Sequence, residues 1–210
     1  MENYENNPVT EQENQKPKKR AARKGSTLLL YLHDIIYLLA VVMVLLLVFF
    51  RIVVVSGSSM KNTLVDGDYL LLLSNVFYRE PKQGDIVVIS KDSFDNGAPI
   101  VKRVIATEGQ YVRFESGKVY VGDTNVLEEM TLLDEPYVSS PTISQDGWVQ
   151  VAEGAVFVMG DNRSGSKDSR DPVIGQIDKR EVLGKVIFLV LPGTDKGHQS
   201  PDYSRIGAVS

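Results

Sequence analysis

The sequence has no cysteine and only two histidines, His33 and His198. The first absence excludes disulfide stapling, thiolate zinc sites and cysteine nucleophiles. The second leaves little material for a His-based metal centre. A basic surplus is missing too, since the net charge is -4 and unevenly spread. Residues 1–55 hold seven Lys and Arg against five Asp and Glu, so the remaining 155 hold 16 against 22. An acidic body of that kind gives no electrostatic footprint for nucleic acid, whose phosphates require a cationic face. No internal repeat is visible. What remains is a chain of 210 residues, 43% hydrophobic, long enough to bury one sizeable core.

Residues 1–26 are polar and carry six cations between Lys16 and Lys24, which predicts a disordered basic tail. Residues 27–55 read as a transmembrane helix. Within them Ile35–Val55 is a run of 21 residues with one charge, Arg51, and about 20 helical residues cross a bilayer. Arg51 is placed to snorkel at one end, and Tyr31 and Tyr37 to sit at the interface near the other. A cleavable signal peptide would have a shorter apolar region, about 7–15 residues, so an anchor is the better reading. Cations precede the helix with no comparable cluster after it, which predicts a cytoplasmic N-terminus and an extracytoplasmic body at the cell membrane.

Residues 56–192 change character. Short apolar runs at Tyr69–Leu73, Ile86–Ile89, Val101–Ile105, Val119–Val121, Ala155–Met159 and Val182–Leu191 alternate with turn signals such as Asp66-Gly67-Asp68 and Gly84-Asp85. The pattern predicts a mainly β domain, a partly open β-barrel or sandwich, after the single N-terminal transmembrane helix. Residues 193–210 read as a polar C-terminal tail.

Three polar clusters stand out: Ser56-Gly57-Ser58-Ser59-Met60, Lys102-Arg103 inside an apolar strand, and the run from Gly160 to Arg170. Singly, each has a plain explanation as a loop, a solvent-facing charge or an Asx-type turn. Together they narrow the chemistry. A serine nucleophile needs a base within hydrogen-bond reach. His33 lies at the start of the membrane helix and His198 in the polar tail, so a Ser-His-Asp triad has no histidine in place. The remaining base is a lysine kept neutral by burial. Lys102, flanked by Ile100, Val101, Val104 and Ile105, meets that requirement, and strand alternation puts it on one face with Ile100 and Val104.

The runs Ser59-Met60-Lys61-Asn62-Thr63-Leu64, Lys102-Arg103-Val104-Ile105 and Gly160-Asp161-Asn162-Arg163, the last followed by Ser166 and Asp168-Ser169-Arg170, resemble the signature boxes of the type I signal peptidases, the bacterial leader peptidases. Their order, the anchor before the serine and the spacing agree, as do Gly84-Asp85, Glu135-Pro136-Tyr137-Val138 and Glu153-Gly154. The resemblance spans roughly Ser56 to Leu191. It departs from the family at Asn62, where proline is usual, and at Ala106-Thr107-Glu108-Gly109-Gln110, where the family has a Gly-Leu-Pro-Gly-Asp-like continuation.

The resemblance implies a membrane-anchored serine endopeptidase that removes signal peptides from secreted preproteins, with Ser59 as nucleophile, Lys102 as general base and Asp161, Ser166, Asp168 and Arg170 bracing the site. It implies no metal or organic cofactor, and as partners the signal peptides and the lipid bilayer, with no nucleic acid. The oxyanion requires two donors: the backbone N–H of Ser59, and a second that sequence leaves open between the hydroxyls of Ser56 and Ser58. A cleavage site with small side chains would add as a strand to an exposed edge, for which Tyr69–Leu73 and the residues around Ser59 and Met60 are the candidates, Met60 being the expected substrate contact. The anchor would raise the effective concentration of membrane-emerging signal peptides. The alternative is a catalytically idle relative serving as a binding or assembly factor for exported proteins, which loss of the serine or lysine would mark; both are present.

Overall fold

The computed structural model of the chain describes residues 24–142, 144–194 and 200–209. The basic tail up to residue 23 and His198 lie outside them. Helix α1 (Lys24–Phe49) contains a 22-residue apolar stretch, Leu28–Phe49, long enough to cross a membrane. It stops six residues before the expected end at Val55. Residues Phe50–Val54 form strand β1 instead, because β-branched Ile52, Val53 and Val54 suit a pleated surface better than a helix. Arg51 is accordingly a strand residue, paired with Leu72.

The body continues with β2 (Tyr69–Ser74), β3 (Ile86–Ile89), β4 (Ile100–Thr107), β5 (Tyr111–Glu115), β6 (Lys118–Gly122), β7 (Thr131–Leu132), β8 (Gly147–Gln150), β9 (Ala155–Met159), β10 (Ile177–Asp178), β11 (Val182–Leu191) and β12 (Gly207–Ala208). Every pairing is antiparallel. The larger sheet runs β1-β2-β11-β3-β4-β9-β10, with β12 added to β11; the smaller runs β7-β6-β5-β8. The fold is thus mainly β, built of two antiparallel sheets. Register shifts in β11 after Val186 and Leu189, and in β4 after Val104, supply local bends. The turn at Gly109, whose φ of +82° suits glycine, carries the chain from β4 in the larger sheet to β5 in the smaller.

Three apolar clusters fill the body. One joins Val55, Met60 and Leu64 to Leu70, Leu72, Val101, Val186 and Leu189. A second joins Ile105 and Phe157 to Val112, Phe114 and Val121 of the smaller sheet. A third gathers Val87, Val104, Val156, Val158, Ile174 and Ile177. Strand β4 touches all three and is buried from Val101 to Ala106, so a polar side chain there is dehydrated by position.

One expectation is revised. Tyr69–Leu73 is not an open edge, because β2 is hydrogen-bonded to β1 on one side and β11 on the other. Within the polar C-terminal tail, residues 200–209 form a turn at Tyr203–Arg205 and then β12, which pairs Ala208 with Phe188 and Gly207 with Leu189.

Candidate active site

Ser59 opens the turn that follows β1. The turn is closed by backbone bonds from Thr63 N–H and Leu64 N–H to the Met60 carbonyl, at 3.1 and 2.9 Å. Met60 is only 1% exposed and packs in the first cluster. The residue expected to meet substrate is thus packed in the core next to Ser59 in sequence.

Lys102, on β4, is 3% exposed, and its Nζ lies 2.7 Å from Ser59 Oγ and 3.1 Å from the Val101 carbonyl. Burial is the main influence on the amine and pushes its pKa down from 10.5 to about 8; Asp168 and Asp161 pull it back up, and Arg170 adds to the lowering. At pH 8 about half of such an amine is neutral, whereas a free lysine amine, which titrates at about 10.4, would be well under 1% neutral. The contact brings a lysine amine of lowered pKa to a serine hydroxyl at hydrogen-bond distance.

The run from Gly160 to Arg170 frames this pair without contributing a proton carrier. Asp161, 1% exposed, accepts from Arg103 Nε and Nη2, each at 2.9 Å, and from Thr63 Oγ1 at 2.5 Å. It thereby links the Ser59 turn to the strand that carries Lys102. Arg103 also donates to the Gly84 carbonyl and lies over the Tyr137 ring, 3.9 Å from its centre. Removing one member of a buried pair such as Arg103–Asp161 strands the other charge at a cost of about 3–5 kcal/mol, which makes this link structural.

Asp168 Oδ2 accepts from the Gly160 N–H at 2.9 Å, and both carboxylate oxygens are held by Arg170 at 2.8 Å. Ser166 packs against Gly160, so close that a Cβ there would lie 2.2 Å from its Oγ. Its hydroxyl donates to the Lys167 carbonyl at 3.4 Å. Asn162 clasps the Ser58–Ser59 segment directly: its N–H donates to the Ser59 carbonyl and its Nδ2 to the Ser58 carbonyl, both at 3.0 Å. Among the described residues the Ser59 N–H makes no hydrogen bond, and the side chains of Ser56 and Ser58 are exposed.

Several of these supports escaped sequence reasoning. Arg163 has a fully buried side chain that donates to Glu135, with Nη1–Oε2 at 2.6 Å and a second contact from Nη2 to Oε1, and to Thr142 at 2.7 Å. The quoted runs contain Glu135, Tyr137, Arg103 and Arg163, but only the fold pairs them. Asn62 takes φ +92° and donates to the Tyr137 carbonyl and Ser139 Oγ at 3.2 and 3.1 Å. A proline, locked near φ −65°, cannot occupy that conformation. The departure at Asn62 therefore goes with a turn of different backbone shape, held by side-chain hydrogen bonds instead of a ring.

The family model described as signal peptidase, peptidase S26, matches residues 28–191. The chain is 36% identical over 146 residues to a probable signal peptidase I-1 of Synechocystis sp., covering 66% of this chain and 70% of that protein. It is 37% identical over 147 residues to the signal peptidase I of Bacillus licheniformis, covering 65% and 74%. A crystal structure of a signal peptidase I from Enterococcus faecalis superposes with a TM-score of 0.42 at 26% identity, covering 51% of this chain and 97% of that one.

Proposed function

The chain belongs to the signal peptidase family, peptidase S26, and from that membership we propose that it is a membrane-anchored endopeptidase that cleaves signal peptides from exported preproteins with a Ser59/Lys102 dyad. The observation that carries the mechanism is the 2.7 Å approach of Lys102 Nζ to Ser59 Oγ at a buried position. Neutral Lys102 takes the hydroxyl proton as Ser59 Oγ attacks the scissile carbonyl. The resulting ammonium returns the proton to the leaving amine, which leaves an acyl-enzyme on Ser59. Lys102, neutral again, then takes a proton from the water that attacks the acyl carbonyl and gives it to Ser59 Oγ as the acyl group leaves as a carboxylic acid, which restores the resting pair.

The Ser59 N–H, unengaged within the described residues, serves as one oxyanion donor, and a hydroxyl of Ser56 or Ser58 as the other. Asp161, Ser166, Asp168 and Arg170 act by holding the serine turn and β4 in register.

The substrate's extended backbone needs an open edge. Among the described residues β1 is a terminal strand that pairs with β2 alone. β4 pairs with β3 at residues 100–103 but with β9 only from Arg103 onward, which leaves one side of Ile100–Lys102 open beside the dyad. These edges supply what β2 cannot. Helix α1 anchors the enzyme in the cell membrane, and the cations before it put the N-terminus in the cytoplasm and the catalytic body outside.

The test is cleavage of a purified preprotein by the full chain in lipid vesicles, with the new N-terminus sequenced. Wild type should cut at the signal peptide boundary, and Ser59→Ala should leave the preprotein intact. Equal cleavage by the two proteins overturns the assignment.

A further inference from the structure

The family match ends at Leu191, yet the residues beyond it reach back to the nucleophile turn. β12 docks on β11, reinforced by a Val209 N–H bond to the Ile187 carbonyl. Before it, Asp202 caps the Tyr203–Arg205 turn by accepting from the Ser204 N–H at 3.0 Å and the Ser204 hydroxyl at 2.6 Å. This small fold has one consequence for the site: it aims Arg205 at Asp68. Asp68 is fully buried, and the guanidinium meets both of its oxygens, at 3.0 and 2.6 Å. The same carboxylate accepts from the Val65 N–H at 2.8 Å and the Gly193 N–H at 2.7 Å. Arg205 Nη2 also donates to the Thr63 carbonyl at 3.2 Å.

Both partners belong to the segment that carries the serine. Thr63 lies four residues after Ser59, and its hydroxyl holds Asp161, which holds Arg103 next to Lys102. We infer that Arg205 is a positioning residue for the reaction, and that the C-terminal segment is a strap that fixes the Ser59 turn against the strand bearing Lys102. The inference rests on the dyad reading above. The chemistry suits the task. A guanidinium satisfies a buried carboxylate bidentately and still has an N–H for a carbonyl, whereas an ammonium is a point charge that cannot hold this fork geometry.

Arg205→Lys is the decisive variant, because it keeps the charge that Asp68 requires while losing the planar fork. Cleavage is measured with full-length protein in vesicles, with kcat and KM separated, the pH profile recorded and the melting temperature followed. The binding edges are untouched, so KM should stay near wild type. A loosened turn misaligns the serine, so kcat should fall about tenfold. Water reaching Lys102, whose charged neighbours are Asp161, Asp168 and Arg170, should also move the acid limb of the profile upward by about half a unit or more. A role confined to stability would lower the melting temperature and leave both kcat and the limb in place. Unchanged kcat, or a fall in kcat without movement of the limb, overturns the inference. If wild type fails to cleave, or Ser59→Ala cleaves equally, the dyad reading itself falls and takes this inference with it; that outcome is read from the controls, not from Arg205.

Discussion

Lys102→Arg should abolish preprotein cleavage, by a factor on the order of 10⁴ or more, since groups that act as one unit fail together. The guanidinium keeps the charge and much of the length but does not deprotonate in a protein, so it cannot take the Ser59 proton. Lys102→Met separates chemistry from packing, because it removes the base and leaves a chain of similar length in the buried site. It should be equally inactive. Its effect on stability has a definite sign. The folded-state pKa of Lys102 is about 8 against 10.5 for the free group, so between these values the unfolded chain binds more protons and wild-type stability rises with pH. The cost of burying the ammonium is fully present below pH 8 and is gone above the unfolded value. Lys102→Met should therefore melt no lower than wild type at pH 7 and lose that advantage as the pH rises towards 10. The double variant Ser59→Ala/Lys102→Arg should be no less active than either single one. Substantial cleavage by Lys102→Arg would make this lysine a structural cation.

Gly160→Ala should be nearly as damaging without touching a reacting group. An added Cβ would stand 2.4 Å from the carbonyl oxygen of Ser59 and 2.2 Å from Ser166 Oγ. A hydroxyl can rotate away, but the carbonyl is Ser59's own backbone and is also held by the Asn162 N–H. The serine must therefore move, and a displacement of about 1 Å costs on the order of 10²-fold in rate. Overpacking adds about 1–3 kcal/mol of destabilisation. Measured kcat and melting temperature should both fall, and combining the change with Ser166→Gly should restore little activity, because only one of the two clashes is relieved. Wild-type kcat in Gly160→Ala would show that the glycine is not required for the placement of Ser59.

Half of the strands, and the Ser59 and Lys102 runs that the fold brings together, were legible in the sequence for a physical reason: their signals are local. Ile86–Ile89, Ala155–Met159 and Val182–Leu191 are apolar runs bounded by turn residues, and the strands found there have those limits. Ser59 and Lys102 sit in short distinctive runs. β1 was hidden because its apolar residues continue those of the helix without a break, and only pairing with β2 shows where one ends. Met60 looked available beside a serine, but its burial depends on Leu70, Leu72 and Val186, which arrive from distant strands. The supports of the site were the least legible. Arg163 and Glu135 are 28 residues apart, and Arg205 and Asp68 are 137 apart, so no periodicity or spacing can pair them. In the polar tail Arg205 was one charge among others until β12 fixed its direction.

The central claim, that a dehydrated neutral lysine drives the serine, is tested most directly by the pH dependence of kcat/KM for preprotein cleavage, whose acid limb reports the base of the free enzyme. The site predicts an activity that rises with unit slope and levels off with a midpoint close to 8, the value at which burial leaves Lys102. A midpoint near 6.5, where an unperturbed imidazole titrates, or a profile flat through pH 8, would contradict it.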